Sequence, residues 1–241
     1  MGWFTRKKDA DVTLQKEVLP EELQERREVV NKPAADKKHG PYDISERKIR
    51  PGYLDMGPLK IMQLPGVALR LDVAPDRQTV LGVSYPLGSS DLNLAVFAAP
   101  RSGGLWREIR ESMADQMVAD GGRAEIVTSC FGKEIRAQIP VQSPDGKRAV
   151  VPIRVIGVEG PRWFLRAMIR GPLAMAPHDP NKLNPAENIL SATIVDRGSE
   201  PMPPRKVLAL QPPTARIPAA ATAALSLDPN DARGPEITEI R

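Results

Sequence analysis

Val67-Ala-Leu-Arg-Leu-Asp-Val73 sets Val67, Leu69, Leu71 and Val73 on one side of an extended chain and Ala68, Arg70 and Asp72 on the other. A period of two marks a strand with one buried face. Ala74-Pro-Asp-Arg then turns the chain, because proline presets φ and aspartate bonds back to the backbone. Leu81, Val83 and Tyr85 continue as a second strand. Pro86-Leu-Gly-Ser-Ser leads into a third, carried by Leu92, Leu94, Val96 and Ala98. Three short strands in succession favour antiparallel pairing.

The period changes next. Leu105, Ile109, Met113 and Met117 recur every fourth residue, with Trp106 and Val118 widening the stripe and Glu108, Glu111 and Asp115 elsewhere on the wheel. This predicts an amphipathic helix over 104–120. Ser102 reads as its N-cap, and Gly121-Gly122 as its end. Four further strands are expected at Ala124–Cys130, Lys133–Gln142, Ala149–Val158 and Arg162–Arg170, with Ser143-Pro-Asp-Gly and Glu159-Gly-Pro as turns. Asn184-Pro-Ala-Glu opens a second helix through Ile189 and Leu190 towards Ile194. The order β-β-β-α-β-β-β-β-α predicts an α+β fold: an antiparallel sheet of about seven strands with two helices packed on one face.

On this reading residues 58–198 form a single domain. Residues 1–57 are a charged N-terminal tail and linker, and residues 199–241 a Pro/Ala-rich C-terminal tail, both expected to be disordered for want of periodic apolar content. The 25 prolines gather towards the ends. The net charge is +4 and no segment holds a large excess, so the basic balance alone is a weak pointer to nucleic acid. Cys130 is the only cysteine, and His39 and His178 the only histidines. That inventory predicts no disulfide, no structural metal site and no cofactor. The opening Met-Gly-Trp-Phe-Thr-Arg-Lys-Lys lacks the order of a secretory signal, and no run of 18 apolar residues occurs. The cytoplasm is the expected location.

Phe97-Ala-Ala-Pro-Arg-Ser-Gly-Gly-Leu-Trp, Pro161-Arg-Trp-Phe-Leu-Arg and Gly198-Ser-Glu-Pro-Met-Pro-Pro-Arg keep their order and spacing as three separate motifs. Through them the chain resembles, over roughly residues 40–210, an uncharacterised family of actinobacterial proteins classed as a domain of unknown function. The resemblance implies an intracellular protein of high-GC Gram-positive ancestry and implies no activity. The element order is also similar to the Mog1/PsbP-like sandwich, whose members mostly bind other proteins; that analogy is one of topology.

Several clusters are candidate sites. Cys130 with His178 as base would make a nucleophile, but a small apolar cysteine at a strand end is ordinary filler and no third group orients the pair. Glu108, Glu111 and Asp115 read as solvated rather than as a carboxylate pair across a cleft. Ser102, Gly103 and Gly104 form a candidate anion site at the helix start, set against a plain cap. Trp3 and Phe4 with Arg6, Lys7 and Lys8 could give weak contact with an anionic membrane surface. In the last strand Arg162, Phe164, Arg166, Met168 and Arg170 share a face opposite Trp163, Leu165, Ala167 and Ile169. An outward Phe164 among Arg162, Arg166 and Arg170 makes these four the candidate partner-binding residues. No catalytic residue is assigned. The expected function is a non-enzymatic binding or adaptor protein that recruits a macromolecular partner, most simply another protein. The alternatives are a small enzyme acting on an anionic or nucleotide-like substrate and a nucleic-acid accessory factor.

Overall fold

Among the described residues the seven predicted stretches form strands, joined by four short strands that no alternation marks. In chain order these are β1 (Tyr42–Asp43), β2 (Tyr53–Asp55), β3 (Leu59–Met62), β4 (Arg70–Val73), β5 (Val80–Leu87), β6 (Ser90–Ala98), β7 (Arg123–Ser129), β8 (Gly132–Gln142), β9 (Arg148–Gly160), β10 (Trp163–Arg170) and β11 (Ile194–Val195). Helix α1 (Leu105–Ala119) follows β6, and α2 (Pro185–Ala192) precedes β11. The computed structural model describes residues 39–212, apart from 76, 77, 143–145, 147, 178, 180 and 181. The chain divides into two units, Met1–Asp36 and Lys37–Arg241. The first lies wholly outside the described residues, as do residues 213–241 and most of the Ser143-Pro-Asp-Gly turn.

The fold is α+β. Seven strands make one antiparallel sheet in the order β4-β5-β6-β10-β9-β8-β7, and β1-β11-β3-β2 make a second, smaller sheet in which only β1 and β11 run parallel. β10 lies at the centre of the large sheet, and its two rows of side chains enter two cores. Trp163, Leu165, Ala167 and Ile169 join Leu92, Leu94, Val96 and Ile156 under the small sheet and α2. Phe164 joins Leu105, Trp106, Ile135 and Val155 under α1. The two helices therefore cover opposite faces rather than the one face expected. The reason lies in Trp163-Phe-Leu-Arg-Ala-Met-Ile: a strand apolar on both rows is a strand buried on both faces.

The domain boundaries also move outward. Residues 42–55, read as linker, supply β1 and β2. They are held by long-range bonds with no periodic signature: Trp163 Nε1 donates to Asp43 Oδ2 at 2.7 Å, and the Tyr53 hydroxyl donates to the Ala192 carbonyl at 2.7 Å. Residues read as the start of the C-terminal tail enter the large sheet. β5 and β6 pair from Val83↔Leu94 to their turn. Past that point Leu208 N donates to Val96 O at 2.9 Å and Leu210 N to Val80 O at 2.8 Å. Leu208 and Leu210 are buried in the core.

One part of the large sheet stands clear of its neighbours. β7 pairs with β8 only as far as Arg123↔Gln138, and β10 with β9 only as far as Arg170↔Ile153. Beyond these points β8 and β9 run on as a two-stranded ribbon. Ile139, Val141, Ala149 and Val151 share one of its faces, and Pro140, Val150 and Pro152 the other. Val141 is 37% exposed and Val150 61%.

A buried ion network ties the large sheet to α2. The Arg154 guanidinium has no solvent access. It donates through Nε and Nη2 to both oxygens of Glu134, at 2.8 and 2.9 Å, and through Nη1 to Glu187 Oε1 at 2.8 Å. Burial opposes the Arg154 charge, but the bonds and field of Glu134 and then of Glu187 more than offset it, so its pKa lies above the usual guanidinium value. Glu187 also closes the capping box of α2: its Oε2 accepts from Asn184 N at 2.9 Å, while its own N–H donates to Asn184 Oδ1 at 3.0 Å.

Two stability outcomes follow from this packing. Leu165→Ala should cost about 2–5 kcal/mol by urea denaturation, because Leu165 is fully buried, whereas Ile109→Ala on the half-buried row of α1 should cost less. Arg154→Met leaves two carboxylates facing each other without water, and a loss of about 3–5 kcal/mol is expected in the same assay.

Candidate functional site

The dipeptide Pro-Arg occurs three times in the chain, at Pro100-Arg101, Pro161-Arg162 and Pro204-Arg205. All three meet where β6 ends. Ala99 N donates to Arg162 O at 2.9 Å, Arg205 N to Ala98 O at 2.8 Å, and Ala98 N to Lys206 O at 2.8 Å. Two of the three turns share an unusual backbone. Proline at the second position of a turn followed by a left-handed third residue is the pattern that normally places glycine third. Here Arg162 (φ 64°) and Arg205 (φ 69°) occupy that slot, and among the described residues no other non-glycine has a positive φ. An L-residue pays about 1–2 kcal/mol for that conformation. The side chains are tethered lightly: Arg162 Nη2 donates to Gly198 O at 3.2 Å, and Arg205 Nη2 pairs with Glu108 Oε1 at 2.5 Å on the surface. Glu108, Glu111 and Asp115 are all exposed, and Arg101 lies on the exposed loop before α1.

The start of α1 completes this corner. Ser102 is not the N-cap; Gly104 is, at φ 85°, with no side-chain cap of its own. Two of the N–H groups at this helix start are satisfied from another strand. Glu159 accepts from Gly104 N through Oε2 at 2.9 Å and from Trp106 N through Oε1 at 2.6 Å. At the candidate anion site of Ser102, Gly103 and Gly104 the protein's own Glu159 carboxylate binds Gly104 N and Trp106 N and complements the helix's positive end. Trp106 is locked below it. Its Nε1 donates to Lys133 O at 2.7 Å, its ring stacks on Phe164 at 5.6 Å, and Gly157 lies so close that a Cβ there would sit 2.2 Å from Trp106 Cδ2.

The four residues proposed from the β10 face do not form one surface. Phe164 is 1% exposed beneath Trp106, so the outward phenylalanine that motivated the grouping points into a core. The guanidinium of Arg166 lies over the Phe97 ring at 5.5 Å, and burial together with the nearby Arg170 charge lowers its pKa. Arg170 is exposed at the far end of β10, in register with Asp91. Only Arg162 reaches the corner, where its carbonyl accepts from Ala99 N. Arg101 and Arg205 were not singled out from the sequence. The repeated Pro-Arg was the available signal, and it becomes one only once the three turns are seen together.

Cys130 is half-buried near the Arg154 network. Burial, then the Glu187 charge, pushes its thiol up to about 11. His178, its supposed base, lies outside the described residues, as do Trp3, Phe4, Arg6, Lys7 and Lys8. Among the described residues no helix is long and apolar enough to cross a membrane. A thiol with a raised pKa is a poor nucleophile at neutral pH. Alkylation of Cys130 by iodoacetamide should therefore be slow at pH 7 and keep accelerating past pH 9, where an ordinary thiol levels off. A plateau near pH 8.5 would contradict the assigned environment.

No curated protein matches the chain. A family model described as Protein of unknown function (DUF3710) matches residues 40–218, a span that includes β1 and β2, all three Pro-Arg turns and the C-terminal segment bound between β5 and β6, and the chain belongs to that family.

Proposed function

We propose that this protein is a binding or adaptor protein of the cytoplasm that takes an acidic segment of another protein at the Pro-Arg corner. The observation that supports this most is the pair of left-handed arginines. Turns with glycine at residues 162 and 205 would turn the chain in the same way without the backbone cost. Arginine there keeps a cost and adds a planar fork suited to carboxylates. The side-chain contacts these arginines make are exposed, and exposed pairs contribute little to stability. The benefit of arginine then lies outside the fold. The corner also has a rigid base, since the backbones of all three turns are bonded to the end of a central strand or to the loop that leaves it.

The double variant Arg162→Gly with Arg205→Gly tests the reading. Relief of about 1–2 kcal/mol of left-handed strain at each site is offset by about 0.5–1 kcal/mol of added unfolded-state freedom for glycine. The melting temperature should therefore hold level or rise slightly. Binding of a fluorescent poly-glutamate peptide, followed by anisotropy at physiological salt, should be lost. A destabilised variant, or one that binds the peptide like the native chain, would sink the proposal. Tighter binding of duplex DNA than of the peptide, with a steep salt dependence, would favour the nucleic-acid reading instead.

A further inference from the structure

A second cationic site lies on the small sheet, apart from the corner. The loop between β1 and β2 folds over the β2–β3 hairpin towards the last residue of α2. It leaves a cleft of about 330 Å³. That is the lower end of the volume range of small-molecule sites. Arg47, Lys48 and Arg50 line it from the loop, and Tyr53 and Met62 from the hairpin. We propose that this cleft binds a small phosphorylated molecule with a flat organic part, the class to which nucleotides belong.

Charge carries the argument. No carboxylate lines the cleft. The nearest acids are committed elsewhere: Glu46 Oε2 accepts from Asp43 N at 2.9 Å, and Asp55 Oδ1 accepts from Lys60 Nζ at 2.7 Å. The structural explanation for three cations here is the C-terminal end of α2, which has no basic residue in its own last turn. That end is worth only about half a negative charge, and the Tyr53 hydroxyl already donates to its Ala192 carbonyl. Three positive charges against that fraction and the Glu46 carboxylate still leave the cleft cationic. The site is also partly pre-formed. Arg47 is held over the ring of buried Tyr42 at 4.0 Å, and Gln63 N donates to Gly52 O at 2.9 Å, fixing the loop to the hairpin. With its hydroxyl engaged, Tyr53 offers a ring, and with Met62 it gives the cleft an apolar wall. Cations for phosphate beside an apolar wall select a ligand that has both parts.

Isothermal titration of the full chain with ADP, pyrophosphate and adenosine distinguishes the parts. ADP should bind, pyrophosphate should bind more weakly, and adenosine should show no heat of binding. Arg47→Ala with Arg50→Ala should weaken ADP by at least about tenfold, since charge-assisted bonds to phosphate are the strong ones. The melting temperature should fall only slightly, because both side chains are exposed and only the Arg47 contact with the Tyr42 ring is lost. Tyr53→Leu should weaken ADP and leave pyrophosphate as it was. The Arg162→Gly, Arg205→Gly chain should bind ADP like the native protein, so failure at one surface is separable from failure at the other. Absence of saturation by ADP at millimolar concentration would overturn the proposal. So would undiminished binding in the Arg47, Arg50 variant, or loss of binding in the corner variant.

Discussion

A guanidinium with no access to water holds the large sheet to α2. Arg154 stands on β9 between Glu134 of β8 and Glu187 of α2, and each carboxylate is as dry as the arginine. Taking such ions out of water costs several kcal/mol apiece, recovered only when geometry and hydrogen bonding are nearly complete. Here they are: Glu134 is gripped at both oxygens, and Glu187 divides its two between Arg154 and the first turn of its own helix. Position therefore propagates. The capping box fixes where α2 begins, and Glu187 fixes that beginning against β9. The end of α2 leads directly into β11, against which β1 and β3 pair. The small sheet takes its place on the large one through a chain of polar contacts that no apolar residue could specify as narrowly.

The central strands distribute the remaining constraints. β6 and β10 lie side by side over their whole length, from Trp163↔Ala98 to Arg170↔Asp91. Near the Ala98 end come together the C-terminal segment, the turn that precedes β10 and the loop that precedes α1. Their backbone groups are satisfied mutually there, so the side chains of Arg101 and Arg205 stand exposed on a stiff base with the half-buried Arg162 beside them. Binding groups carried on turns that a rigid sheet positions are a common division of labour.

Much of this was legible in the residues and some was not, for physical reasons. The stripe Leu105, Ile109, Met113, Met117 gave α1 to within a residue at each end, because a helix packed on a sheet must repeat its apolar face. The hairpins were legible from alternation bounded by proline and glycine. β1 and β11 were not, since two residues have no period and both strands exist through partners more than a hundred residues away in sequence. Nothing in the strand pattern marks Arg154 as buried; its partners are Glu134 on the neighbouring strand and Glu187 on a helix that the pattern does not mention. Phe164 misled in the opposite direction. An apolar residue between arginines reads as an exposed anomaly only if one face is assumed open, and here both are closed. The left-handed turns are legible only as a coincidence, the same dipeptide occurring three times.

The ribbon beyond Gln138 and Pro152 bears on how the protein behaves when concentrated. Two strands with apolar side chains on both faces and unpaired outer edges are the raw material of cross-β assembly, in which each new chain adds a strand to the last. Proline guards both edges. Pro140 lies just past the end of β7, and Pro152, one residue beyond the end of β10, already has its carbonyl bonded to Gly171 N at 3.0 Å. Each withholds an N–H that an incoming strand would need. A surface built this way can offer its faces to a partner while refusing to template its own polymer.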